Sequence, residues 1–445
     1  MNLESLTQHL MLPDPWQHLA VTHLRAGLDV IVSAPTGAGK TMVFELFVKS
    51  AKLRRQAVYT VPTRALANDK YAEWKEAGWN VGLATGDLSE NVRAPVLVAT
   101  LETQIERLLS DDGPSILVLD EFQMIADASR GPHYEGAIVL APATTQLLLL
   151  SGSVENPGEV AEWMRRNGRK AEVISTHERP VPLDEMPVES LPQRTRDIAG
   201  WWPRMAAMVL SADLAPLLIF APRRRDTENI AAKIATHLPQ GEPLHLTLAQ
   251  RALAGREFAS LLEKRIAYHH SGLAYEVRAG LVEPLAKAGQ LRVVVSTMGL
   301  AAGINFSMRS VHVASTTFHD GLAEQTVTPD ELLQMFGRAG RRGLDDRGYV
   351  ITSSESPSLA DAHSARLRRA GRLSWPLFLR IMRHASLDDR APFDAAREFA
   401  LKLFSKTPPE LGLDATGGFA MGGAETHALF GLKASRRELR NSNGA

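Results

Sequence analysis

VIVSAPTGAGKT, Val30 to Thr41, sets an apolar run ahead of a glycine-rich turn ending in lysine and threonine, and the apolar-periodic segment Met42 to Leu53 follows at once. This order reads as strand, loop, helix, the entry to an α/β sheet. The turn is a phosphate cradle. Gly37 and Gly39 let backbone N–H groups wrap phosphates, Lys40 reaches the outer ones, and the Thr41 hydroxyl is suited to Mg²⁺. Thr36 and Ala38 complete the expected nucleotide contact.

Working outward, strands alternate with helical patterns twice over. The first set takes in Val30 to Ala34, Gln56 to Val61, Val81 to Ala84, Val96 to Ala99, Ile116 to Leu119 and Gln146 to Leu150. A stretch rich in proline and glutamate, about His177 to Arg194, breaks the alternation and reads as a linker. The second set runs through Leu217 to Ala221, Arg265 to Tyr268, Leu291 to Ser296, Val311 to Ala314 and Tyr349 to Thr352. Two tandem α/β domains with parallel sheets are the consequence. Helical patterns then cover Ala362 to Leu373, Trp375 to His384 and Pro392 to Ser405.

Two further motifs carry chemistry. In SILVLDEFQMIAD, the buried-type run Ile116 to Leu119 delivers Asp120 and Glu121 at a strand end, the first suited to Mg²⁺ and the second to orienting and deprotonating a water. In LLQMFGRAGRRG, Leu332 to Gly343, the spacing of Gln334, Arg338 and Arg341 predicts a helix on which both guanidinium forks face a nucleotide's terminal phosphates. The cradle lies in the first domain and the arginines in the second, which predicts an ATP site in the cleft between them.

Composition bounds the class. A chain of 445 residues holds two or three domains, and the absence of cysteine excludes disulfides and thiolate metal sites. No apolar run is long enough to span a bilayer and the N-terminal residues lack a secretory pattern, so the expectation is a cytoplasmic enzyme without membrane contact. Basic and acidic residues balance at 50 each, so phosphate binding must rest on local clusters: Arg223 to Arg225, Arg341 with Arg342, and Arg366, Arg368, Arg369 and Arg372. The last cluster reads equally well as a solvated face. His269 and His270 lack partners at ligand spacing and are not read as metal ligands.

The order of PTRALANDK (Pro62 to Lys70), VLVATLETQIERLL (Val96 to Leu109), DEFQMIAD followed by RGPHYEGAIV, YHHSGL (Tyr268 to Leu273), VSTMGLAAGINF (Val295 to Phe306) and QMFGRAGRRGLDDRG resembles the superfamily-two helicases, with two RecA-like domains. Ala34 in place of glycine matches the helicase form of the phosphate loop. Within that superfamily the chain resembles the DExH-box RNA helicases of the Ski/Mtr type, and RPVPL (Arg179 to Leu183) and FHDG (Phe318 to Gly321) fit that subgroup. The resemblance implies an ATP- and Mg²⁺-dependent enzyme, working as a monomer on single-stranded nucleic acid, RNA favoured over DNA, in the 3′ to 5′ direction. It implies catalytic roles for Lys40, Asp120, Glu121, Arg338 and Arg341. It further implies nucleotide contacts from Gln17, Gly303, Asn305 and Gln334, and nucleic-acid contacts from Thr63, Arg64, Gly86, Thr100 and Thr297. Alternatives are a related DNA helicase and an ATP-dependent clamp that does not unwind processively.

The chain departs from that pattern in three places. Gln123 stands where the family has histidine, keeping a donor and an acceptor that can bridge toward the second domain. Ser151-Gly152-Ser153 stands where Ser-Ala-Thr is usual, keeping both coupling hydroxyls. The region after Thr352 is too short for the family's arch or full helical bundle. The expected organisation is a nucleotide-binding domain over 1–180, a linker over 181–200, a second RecA-like domain over 201–360, a short helical, partial winged-helix-like extension over 361–410, and a disordered tail over 411–445.

Overall fold

The computed structural model of the chain describes residues 13–110, 112–192, 197–239, 241–319, 324–371 and 373–405; the expected tail lies outside them. Contacts divide the chain into two units. One comprises the residues up to Ser33, Thr41–Ser175 and the chain from Arg366 on; the other comprises Ala34–Lys40 and Thr176–Ala365.

The first unit is built on strands β1 (Asp29–Ser33), β2 (Ala57–Val61), β3 (Val81–Ala84), β4 (Ser89–Glu90), β5 (Val96–Thr100), β6 (Ile116–Asp120), β7 (Gln146–Ser151) and β8 (Ala171–Ser175). They lie in the order β4-β3-β5-β2-β6-β7-β1-β8, parallel except for β4 against β3. The central strands are apolar at nearly every position because helices cover both faces of a parallel sheet. The register pairs Val61 with Thr100 and Ser33 with Ser151, so the carboxyl ends of β1, β2, β5, β6 and β7 share one edge, where ligands of α/β sheets bind. β8 went unread in the sequence because it is a half-buried edge strand without an apolar run.

The second unit carries β9 (Leu183–Pro187), β10 (Leu217–Ala221), β11 (Ile266–His269), β12 (Val293–Thr297), β13 (Ser310–Val313) and β16 (Gly348–Thr352), in the order β11-β12-β10-β13-β16-β9, with a hairpin of β14 (Thr317–His319) and β15 (Glu324–Thr326) beside it. The stretch read as a linker thus contributes an edge strand, β9, parallel to β16. Its mixed burial and its terminal proline suit an edge and hide it from a hydrophobic-run reading. Of the FHDG motif, Asp320 and Gly321 lie outside the described residues.

The residues from Arg366 onward form a layer of the first unit. The helices Trp375–Leu387 and Pro392–Leu401 bury Leu377, Phe378, Ile381, Ala396 and Phe399 in the same core as Ile105, Ala137, Ile138 and Trp163. Gly136 makes room: a Cβ there would sit 2.8 Å from Leu377 Cδ2. The helix expected over Ala362 to Leu373 is corrected: the described residues 362–371 are not helical. Its backbone is claimed elsewhere, because Leu367 N donates to Asn156 Oδ1 at 2.7 Å and Asn156 Nδ2 donates back to Leu367 O at 3.2 Å. Arg366 pairs with Glu159, and Arg369 with the buried Glu135 at 3.0 Å, so half of the arginine cluster fastens this layer.

Candidate nucleotide and nucleic-acid sites

β1 runs into the loop Ala34–Lys40, and the helix Thr41–Ser50 starts directly after it. Gly37 and Gly39 both have φ of +82°, a conformation that disfavours any side chain and exposes successive N–H groups. Lys40 Nζ donates to the carbonyls of Ala34 at 3.0 Å and Pro35 at 3.2 Å, which folds the ammonium over its own loop. Thr36 and Ala38 lie in the same turn.

At the end of β6 the two carboxylates are wired to different partners. Tyr59 Oη donates to Asp120 Oδ2 at 2.9 Å and lies 3.3 Å from Thr41 Oγ1. One phenol therefore ties together the hydroxyl and the carboxylate expected at the metal. Burial first, and then the charge of Asp120, push the Tyr59 pKa well up, so it remains a donor. Glu121 sits at φ 55°, ψ 51°, a left-handed conformation that costs about 1–2 kcal/mol in a residue other than glycine and turns its carboxylate off the strand line. Gln123 Nε2 donates to Glu121 Oε2, Ser151 Oγ donates to Gln123 Oε1 at 2.6 Å, and Ser153 N donates to Ser151 Oγ at 3.3 Å. Both ends of the Gln123 amide thus have partners inside the first unit. The result is a line of hydrogen bonds from the water-orienting carboxylate to the end of β7.

The expected nucleic-acid positions sit at the same strand ends. Thr63 caps the helix Arg64–Glu76, its Oγ1 accepting from Leu66 N at 3.3 Å. Arg64 pairs with Asp87 at 3.0 Å on the surface and passes over Gly86, where a Cβ would lie 3.3 Å from its Nη2. Thr100 ends β5, and its carbonyl accepts from Thr103 Oγ1 at 2.8 Å. Gln17 is buried in the helix Pro15–Arg25, where its Oε1 accepts from Asp14 N at 2.8 Å in a capping box.

In the second unit Thr297 ends β12, and the turn Met298–Gly303 leads to Asn305. The helix Pro329–Phe336, which carries Gln334, packs on that turn. The helix expected to carry Arg338 and Arg341 stops at Phe336, a correction with a local cause. Met308 N donates to Arg338 O and Gly340 N to Met308 O, at 2.9 and 2.8 Å, so the backbone leaves the helix to pair with Met308. Arg341 is held in a fork by Asp345, Nε to Oδ2 and Nη2 to Oδ1 both at 2.8 Å. His269 pairs with the buried Glu283 at 3.0 Å and His270 with Glu228 at 3.0 Å. No cluster of three or more His, Asp or Glu side chains that could hold a metal occurs among the described residues.

Residues 14–160 match the DEAD/DEAH box helicase family and residues 217–343 match the helicase conserved C-terminal domain. The chain belongs to the superfamily-two DExH-box helicases and resembles their Ski/Mtr type. Relatives include mouse superkiller complex protein 2, 29% identical over 83% of this chain and 36% of the relative. The ATP-dependent RNA helicase mtr4 of Schizosaccharomyces pombe is 27% identical over 83% of this chain and 40% of its own length. The ATP-dependent DNA helicase Hel308 of Thermoplasma volcanium is 29% identical over 76% and 52%. This helicase chain therefore spans between about a third and about half of the length of these relatives. No described helix is long and apolar enough to cross a membrane.

Sequence reasoning missed Tyr59, Tyr134 and Asp345 in this helicase. Tyr59 had one available signal: a tyrosine inside a fully buried strand must find a partner for its hydroxyl. Tyr134 Oη donates to the Asp120 carbonyl at 3.1 Å. The oxygen-only set of Thr41 and Asp120, brought to one phenol, suits Mg²⁺, which takes one or two carboxylates and leaves other positions to water and phosphate.

Proposed function

We propose that this chain is the core of an ATP-dependent helicase that acts on single-stranded RNA, moving 3′ to 5′ as a cytoplasmic monomer. The observation that carries the reading is the carboxylate pair at the end of β6, with Asp120 joined through Tyr59 to Thr41 and Glu121 joined through Gln123 to Ser151. Phosphoryl transfer needs positioning and charge neutralisation, and this arrangement supplies both. Lys40 and the loop N–H groups hold the phosphates, with Thr36, Ala38, Gly303, Asn305, Gln334 and Gln17 as further nucleotide contacts. Thr41 and Asp120 hold Mg²⁺, which when bound neutralises phosphate charge. Glu121 orients a water and takes its proton as the oxygen bonds to the γ-phosphorus and the bond from that phosphorus to the β-phosphate oxygen breaks, releasing ADP and phosphate. Arg338 and Arg341 stabilise the charge that develops on the leaving oxygen. Thr63, Arg64, Gly86, Thr100 and Thr297 track the strand. The Glu121–Gln123–Ser151–Ser153 line couples hydrolysis to movement.

The mtr4 likeness supports RNA, and the Hel308 likeness supports DNA as the second reading. Hydrolysis measured with no polymer, with RNA and with DNA of equal length, at two salt concentrations, tests both. RNA is expected to stimulate most, with affinity falling about 0.7 log units per log unit of salt for each phosphate held. Stimulation by DNA alone reverses the choice, and no stimulation by either removes the helicase reading. Strand displacement with ATP but not with a non-hydrolysable analogue separates unwinding from clamping.

A further inference from the structure

RPVPL, Arg179 to Leu183, has no part in the hydrolysis described above, yet it packs under the arginine-bearing turn within the second unit. β9 begins at Leu183, opposite Gly348 of β16, and Gly348 N donates to Pro182 O at 2.9 Å. This pairing brings Val181 against Gly340 so closely that a Cβ on Gly340 would lie 2.5 Å from Val181 Cγ1. Gly340 itself has φ of +84°, so the turn is fixed both by its own conformation and by what lies beneath it.

The side chain of Arg179 folds back into this contact. Its Nε donates to Val181 O at 3.3 Å, and its Nη2 straddles the carbonyls of Gly337 and Ala339 at 3.4 Å each. Those two carbonyls flank Arg338, and they follow the last turn of the Pro329–Phe336 helix, where the helix supplies no donors. Burial lowers the Arg179 pKa to about 10, which leaves it a cation at neutral pH. Its partners are all neutral carbonyls, and burial alone, with no neighbouring carboxylate among the described residues, acts on its charge. A desolvated cation without a counter-charge stabilises a fold less than a hydrophobic side chain of similar size. Its contribution is then one of placement.

We propose that Arg179 is a positioning residue, whose fork fixes the Gly337–Ala339 turn and thereby holds Arg338 in the orientation that serves the γ-phosphate. The inference rests on the hydrolysis reading above and acts through Arg338, without contact to the nucleotide. A Lys at this position keeps the charge but cannot straddle two carbonyls and reach Val181 together.

The test uses the full chain as Arg179→Met, Arg179→Lys, Arg338→Ala and the Arg179→Met/Arg338→Ala double variant, each checked for folding by circular dichroism. RNA-stimulated kcat is expected to fall about ten- to a hundred-fold in Arg179→Met, the scale of a misplaced catalytic group, with KM for ATP near that of the wild type. Arg179→Lys recovers part of the loss. The double variant is no slower than Arg338→Ala alone, because the two act as one unit. Hydrogen exchange of the 337–340 amides speeds up in Arg179→Met, a readout that needs no turnover. Wild-type kcat in Arg179→Met, losses that multiply in the double variant, or unchanged exchange over 337–340 each overturn the inference. A wild-type chain without ATPase activity overturns the functional reading instead, and the exchange measurement still decides the role of Arg179 in the turn.

Discussion

Arg341 shows how one side chain serves two demands. Its fork grips Asp345, whose side chain is 3% exposed, and Arg341 N donates to the same carboxylate at 2.9 Å. Burial pushes the Asp345 carboxyl up, but the Arg341 hydrogen bonds and charge outweigh it and hold the pKa below the usual carboxylate range. The stability this pair supplies is present above the unfolded pKa of about 4 and is lost as pH falls through the lower folded value. Arg341→Ala leaves a nearly buried carboxylate without its partner, an expected loss of about 2–4 kcal/mol in urea unfolding. The same variant is expected to keep ATP binding while nucleic-acid-stimulated hydrolysis collapses; wild-type turnover would remove Arg341 from the mechanism. The sequence made the arginine legible through its motif. The i,i+4 spacing of Asp345 was an available signal for its partner, since residues four apart already face one another on a helix.

Among elements, the helix Gly131–Leu140 and the layer packed on it turn on one buried carboxylate. Glu135 receives Arg369 Nε at 3.0 Å and Phe404 N at 3.1 Å, and burial still raises its pKa from the ordinary 4.5 to about 7. A folded pKa above the unfolded one means that stability is fully present below about pH 4.5 and is lost as pH rises through about 7. Unfolding midpoints are therefore expected to drop between pH 5 and pH 8 in the wild type, and Glu135→Gln is expected to flatten that slope. Equal slopes in the two proteins would exclude Glu135 as the source. Elements differed in how plainly the sequence announced them. The strands with continuous apolar runs, such as Ile116–Asp120 and Leu217–Ala221, were readable because both faces of a parallel sheet are covered. The edge strands Ala171–Ser175 and Leu183–Pro187 were not, because one side of each lacks a strand neighbour and the hydrophobic signal thins out.

For the whole molecule, the chain from Arg366 on returns to complete the first unit. Leu367, Leu377, Phe378, Ile381, Phe399 and Leu403 are all buried in its core, and Trp163 Nε1 donates to Lys402 O at 2.7 Å. At about 1.5–3 kcal/mol per large buried side chain, these six contribute at most about 10–20 kcal/mol. A chain cut after Ala365 is expected to lose cooperative unfolding of the first unit while the second retains its own transition, as read by calorimetry; two intact transitions in the cut chain would show the layer to be dispensable. The sequence by itself determined the two parallel sheets, the phosphate loop, the carboxylate pair and the arginine motif. Each of these depends on local periodicity, on glycine conformation, or on functional groups close together in the chain. The tertiary structure alone decided that Tyr59 joins Thr41 to Asp120, that Gln123 joins Glu121 to Ser151, that Arg179 lies under the arginine turn and that the C-terminal helices belong to the first core. Those partners are 18 to more than 200 residues apart or depend on how a buried amide is shared, and only packing brings such groups within hydrogen-bond reach.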